Sequence, residues 1–209
     1  MSADTNPSPQ NDPTHSPKLR VLQLPGWQGS GPDHWQTLWE RKYGDERVDQ
    51  HDYVWPRRGD WMSRLDECVQ QSGQPVALVA HSLGCQLVAS WAAHTQQGHR
   101  VACAMLVAPP DTERADMPPN LAGWRHIERR AFLFPSMVVA STNDPYCSPE
   151  RSGEMASNWG SEYVVVGAIG HINSQSAIGD WPAGRDSFNS FATRVAVTLL
   201  PNSSHTGSV

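Results

Sequence analysis

The sequence predicts a doubly wound α/β domain: a mostly parallel six-stranded sheet with helices on both faces. Three observations predict it. Short apolar runs alternate with helix-length segments along the chain. The inner runs, such as "PVALVA" and "VACAMLVA", are continuously apolar, as expected of strands covered on both faces. Gly-, Pro- and Asp-bearing loops follow the runs, and in such a sheet ligands gather at the carboxyl ends of the strands.

Taken in order, "LRVLQL" is the first strand. Asp33 is placed to cap a helix that carries Trp35, Leu38 and Trp39 on one face at i, i+3, i+4 spacing. "RVDQHDYV" reads as a weaker strand, followed by a helix over about 60–71. "PVALVA" (75–80) leads into the strong helix former "LGCQLVASWAAH", which Gly98 is placed to end. "VACAMLVA" (101–108) and "PSMVVAST" (135–142) are further buried strands. Ser148 and Pro149 mark a helix start, with Pro at the first helical position. "SEYVVVG" is the last strand and about 186–200 the last helix.

At 209 residues one domain is expected, assigned to 18–201. Residues 1–17 and 202–209 are rich in Pro, Ser, Asn and Thr, contain few large apolar groups and read as disordered tails. A formal charge of −5 and a pI near 5.9 supply no basic field, so neither nucleic acid nor an acidic membrane surface is expected as a partner. The N-terminus has no basic and apolar leader pattern, and no stretch is long and apolar enough to cross a bilayer. The four cysteines show no metal-ligand spacing, and Cys68, Cys85 and Cys103, set in apolar or helical patterns, read as buried free thiols. A cytoplasmic location is expected.

Chemistry enters after the strands. "VAHSLG" joins a buried strand to a helix and fits the G-x-S-x-G nucleophile elbow, with Ala80 in place of the first glycine. The sharp turn lifts the Ser82 hydroxyl above the sheet and aims the Leu83 N–H at a developing oxyanion. A simple helix-capping serine is the competing reading. The required order is Ser, then acid, then His. His126 precedes the best acid and His205 lies in a predicted tail, which leaves His171 in "GAIGHINS" as the base. Asp144, just past the strand "PSMVVAST", is the preferred acid; Asp111 holds a similar position one strand earlier. His81 reads as a supporting residue beside the pocket, whereas His34 and His51 read as solvated or partner-satisfied.

The loop "PGWQGSGPDHWQ" has glycines without the G-x-G-x-x-G spacing of a dinucleotide site, and it lacks the Lys-Ser/Thr of a P-loop. It is better placed to supply the second oxyanion donor, in or near Gly26-Trp27, from Trp27 or a neighbour. Trp27 and Trp181 are candidate apolar walls of a pocket. Trp124, in the long connector 109–134, is a third candidate contact.

With Ser82, Asp144 and His171 placed, the sequence resembles the retinoblastoma-binding protein 9-like serine hydrolases, a compact branch of the α/β-hydrolases. The carrying stretches are "LPGWQGSGPDHWQTLWE", "VALVAHSLGC", "ASTNDPYCS" and "GAIGHINSQSAIGDWPAG". The resemblance implies an α/β-hydrolase fold with little or no lid, action on a small ester or related acyl substrate, and no organic cofactor or metal. It does not carry over a retinoblastoma-type partner, because no L-x-C-x-E string is present; "LDECV" has the wrong spacing. Amidase, peptidase or lactonase action on the same triad, and a hydrolase fold used only for binding, remain alternatives.

Overall fold

The computed structural model describes residues 19–199; the two predicted tails and His205 lie outside the described residues. The order of elements is β1 (Arg20–Leu24), α1 (Trp35–Tyr43), β2 (Glu46–Arg47), α2 (Arg58–Gln70), β3 (Val76–His81), α3 (Leu83–Ala92), β4 (Val101–Val107), β5 (Ser136–Ala140), α4 (Pro149–Trp159), β6 (Glu162–Val165) and α5 (Pro182–Leu199). The six strands form one sheet in the order β2-β1-β3-β4-β5-β6, and every pairing is parallel. The fold class expected from the sequence is the one found.

Alternation along the strands divides the core in two. Leu22, Leu24, Leu78, Ala80, Ala104, Leu106 and Val138 face α2, α3 and α4, where Trp61, Leu65, Trp91 and Trp159 are buried. Ala77, Val79, Cys103, Met105 and Val139 face α1 and α5, and pack on Trp35, Trp39, Phe188 and Phe191. With apolar side chains on both faces, the inner strands cannot alternate with polar ones, which explains their continuous apolar runs.

After β2 the chain recrosses β1 to form β3, so the direction of winding reverses between β1 and β3. The crevice beyond the carboxyl ends of these two strands is where open α/β sheets bind ligands. Leu24 pairs with Ala80, so both strands end at the same level, one leading into Gly26-Trp27 and the other into Ser82.

Local departures from the sequence reading have identifiable causes. His34, not Asp33, caps α1, its Nδ1 accepting the Gln36 N–H at 3.2 Å. The second strand is only Glu46–Arg47. Beyond it the Asp52 carboxylate binds the N–H groups of Val54 and Trp55, a side-chain turn that replaces the ladder. α3 stops at Ala92, where the Trp91 carbonyl accepts a tightened bond from the His94 N–H as well as the Thr95 N–H, and Gly98 instead opens a short 3-10 turn. α5 starts four residues early, at Pro182, whose fixed φ suits a first helical position. Among the described residues no helix is long and apolar enough to cross a membrane.

Candidate active site

Ser82 sits at the β3–α3 junction with φ 54° and ψ −126°, a left-handed conformation rare for a residue with a side chain. Such strain persists only where the surroundings over-determine it. Here the Ser82 N–H is donated to the Val107 carbonyl at 2.9 Å, and its own carbonyl accepts the Cys85 N–H at 2.8 Å. The glycines around the elbow are forced by close approach. A Cβ on Gly84 would stand 2.3 Å from the Leu24 carbonyl oxygen, and one on Gly26 would stand 2.7 Å from the Ser82 Cβ. Ala80, in place of the usual glycine, is accommodated with its methyl buried in the apolar core beside α3.

The His171 Nε2 lies 2.8 Å from the Ser82 Oγ, and its Nδ1 lies 2.8 and 3.0 Å from the two Asp144 oxygens. Asp144 also accepts the Tyr146 N–H at 2.9 Å, which orients its carboxylate, and its side chain is nearly fully buried. The structure thus brings together the serine, histidine and acid selected from the sequence. Asp111, the other candidate acid, lies along the cleft and faces Arg151 at 3.4 Å.

Two backbone donors flank the serine. Neither the Trp27 nor the Leu83 N–H has an acceptor among the described residues. Gly26 holds them close, since its absent Cβ would lie 3.1 Å from the Leu83 nitrogen.

The cleft over Ser82 has a volume of about 320 Å3, the lower end of what small-molecule sites offer. Its apolar side comprises Trp27, Met117, Pro118 and Leu121; its histidine side includes Tyr146, Asn173 and Gln175. The Val54 carbonyl ties two walls together by accepting the Trp27 Nε1–H at 3.1 Å and the Asn120 amide at 2.6 Å. Tyr146 sets its ring edge-on to His171, with centroids 4.5 Å apart. A more open groove of about 410 Å3 lies behind Asp144, but Ser82 and His171 do not line it.

Of the pocket residues expected from the sequence, Trp27 and His81 line the cleft, and Trp124 and Trp181 do not. Trp124 is fully buried, packs on Trp61 and donates Nε1–H to the Pro56 carbonyl at 2.9 Å. Trp181, at φ 44°, turns inward across Gly184 into the opposite core, where it meets Trp35 edge-on and stacks on Trp39. Both are packing residues, a correction that follows from the large apolar area an indole removes from water.

Sequence reasoning missed His34, Tyr146, Met117 and Leu121. Tyr146 had a usable signal, two residues beyond Asp144 in the same post-strand turn. His34 is 5% exposed, and burial lowers its pKa to about 4; His81 is equally buried and held well below the usual imidazole range by desolvation. Both rings are therefore neutral at neutral pH.

A parallel three-layer sheet with an elbow serine, a post-strand acid and a loop histidine defines an α/β-hydrolase-type serine hydrolase. The serine hydrolase family model matches residues 21–190, and the chain belongs to that family. Among solved structures, a YdeN-like hydrolase from Pectobacterium atrosepticum is 29% identical, covering 85% of this chain and 92% of that one, with a TM-score of 0.75. The ydeN gene product from Bacillus subtilis is 20% identical over 84% of this chain and 100% of that one, at 0.68. The carboxylesterase CesB from Bacillus subtilis, 12% identical over 83% and 84% of the chains at 0.54, shares the fold. A comparison with the curated proteins found no match.

Proposed function

We propose that this serine hydrolase is a carboxylesterase-like acyl hydrolase, cleaving small ester or related acyl substrates through an acyl-enzyme on Ser82. The observation that carries the reading is the continuous hydrogen-bonded chain Ser82–His171–Asp144, with 2.8 Å links on both sides of the imidazole. A serine hydroxyl is a weak nucleophile at neutral pH and needs a base in contact with it. His171 takes the Ser82 proton as Oγ attacks the scissile carbonyl, and Asp144 keeps the proton on Nδ1 and stabilises the imidazolium. The carbonyl oxygen becomes an oxyanion beside the Leu83 and Trp27 N–H groups, each worth about 100- to 1000-fold in rate. His171 then protonates the departing alcohol. In the second half it activates water, which releases the acid and restores Ser82.

The four cysteines are free and buried, which supports a reducing compartment such as the cytoplasm. A fluorophosphonate probe tests the reaction class. Wild type is expected to label at one site and to hydrolyse short-chain acyl esters, with both activities lost in Ser82→Ala. A wild type that fails to label, or a variant that labels equally, refutes the reading.

A further inference from the structure

His81 is the residue before the nucleophile, yet its side chain points at the base. Its Nε2 lies 2.9 Å from the backbone carbonyl oxygen of His171, in a buried setting. Two consecutive residues of one strand end therefore grip one residue of a distant loop. Ser82 bonds its side chain, and His81 bonds its main chain.

The gripped loop needs holding. Gly167, Gly170 and Ile172 all have positive φ, and at 49° the β-branched Ile172 is a genuine outlier. Its backbone groups are held largely from outside. The Trp35 Nε1–H is donated to the Ile172 carbonyl at 2.8 Å, Asn143 Oδ1 accepts the Gly170 N–H at 2.7 Å, and Ser141 Oγ accepts the Ile169 N–H at 3.0 Å. His81 makes the only side-chain bond among these that reaches the catalytic-site histidine itself.

We propose that His81 is a positioning residue that fixes the base against the nucleophile through an Nε2–H bond to the His171 carbonyl; this rests on the acyl-hydrolase reading above. The role demands a neutral ring carrying its hydrogen on Nε2. A carbonyl acceptor calls for the hydrogen on Nε2, and the crowded setting disfavours charge: His34 packs edge-on at 4.7 Å and Trp35 at 6.0 Å, while the His171 ring lies tilted at 4.9 Å between centroids. A charged His81 would also repel the imidazolium that forms on His171, and its burial keeps it uncharged. Because reaction rate is steep in the placement of reacting atoms, loss of this bond acts on the chemical step more than on substrate binding.

His81→Leu keeps the volume and removes the donor, whereas His81→Gln keeps an N–H of similar reach. For a short acyl ester, His81→Leu should lower kcat by about 10-fold or more and leave KM within about twofold. His81→Gln should recover most of the lost kcat at the same KM. An unchanged kcat in the Leu variant overturns the proposal, as does a Gln variant as slow as the Leu variant when both fold. If His81→Leu does not fold, nitrogen-15 NMR of the wild type decides: a neutral His81 protonated on Nε2 is required, and an Nδ1–H tautomer or a charged ring overturns the role. Fluorophosphonate labelling separates the two readings. A wild type that does not label sinks the proposed function, whereas a labelled wild type with an indifferent His81 sinks only the positioning role.

Discussion

The two halves of the site are held in different ways. On the nucleophile side, the ends of β1 and β3 meet through backbone sterics: Gly26 and Gly84 leave no room for a Cβ, and Ser82 is forced into its strained conformation. On the base side, the β6–α5 loop is equally strained but has no such close packing at Gly167, and side chains from elsewhere suspend it: His81, Trp35, Asn143 and Ser141. Shape fixes one half, hydrogen bonds the other. The first kind should fail abruptly with added bulk, the second gradually with lost donors and acceptors.

Gly26→Ala attacks the first half. A methyl 2.7 Å from the Ser82 Cβ and 3.1 Å from the Leu83 nitrogen would displace both backbone N–H groups proposed to meet the oxyanion. Ester hydrolysis should fall by about 100-fold or more in kcat, and a kcat near wild type would show that the backbone contact does not set the site. Asn143→Ala attacks the second half. It releases the Gly170 N–H and the Ser141 hydroxyl. The expected loss is about 10-fold in kcat with KM nearly steady, measured by steady-state kinetics on the same ester. If Asn143→Ala costs as much as Gly26→Ala, the contrast between the halves is wrong.

The smallest effect concerns stability. Burial lowers the His34 pKa from 6.5 to about 4, so the unfolded chain takes up a proton that the folded one refuses. Stability is fully present above about pH 6.5 and is lost as pH falls toward about 4, by at most about 3 kcal/mol for this group. His34→Asn retains an oxygen to cap α1 and removes the titration. Its thermal unfolding midpoint should fall less between pH 7 and pH 4.5 than that of wild type. An identical fall in both proteins would locate the acid sensitivity elsewhere, for instance at His81.

This contrast also decides what could be read from the sequence. The β3–α3 elbow is announced by a continuous apolar run, a serine and a glycine, because steric demands act on residue type at fixed spacing. The sheet, the serine, the acid and the histidine were legible on those grounds. The supports of the His171 loop were not. Trp35 is read from its spacing as a core residue, which it is, and nothing in that spacing reveals an indole N–H aimed 137 positions ahead. Trp124 and Trp181 failed as pocket residues for a related reason. Proximity in sequence to a site residue says little about direction, and a left-handed backbone at Trp181 turned its ring into the core. The second strand was read too long, over "RVDQHDYV", because Asp52 ends the extended run through its side chain, a contact that periodicity does not register.

The tie at Val54 has a practical consequence. The residue is 54% exposed, and an alanine scan would score the position as silent. Its carbonyl oxygen nevertheless sets the gap between the Trp27 wall and the connector at Asn120. The width of the cleft is thus written in the length of the loop between Tyr53 and Arg58, not in any side chain there. Insertion or deletion within that loop is the change that would resize the cleft.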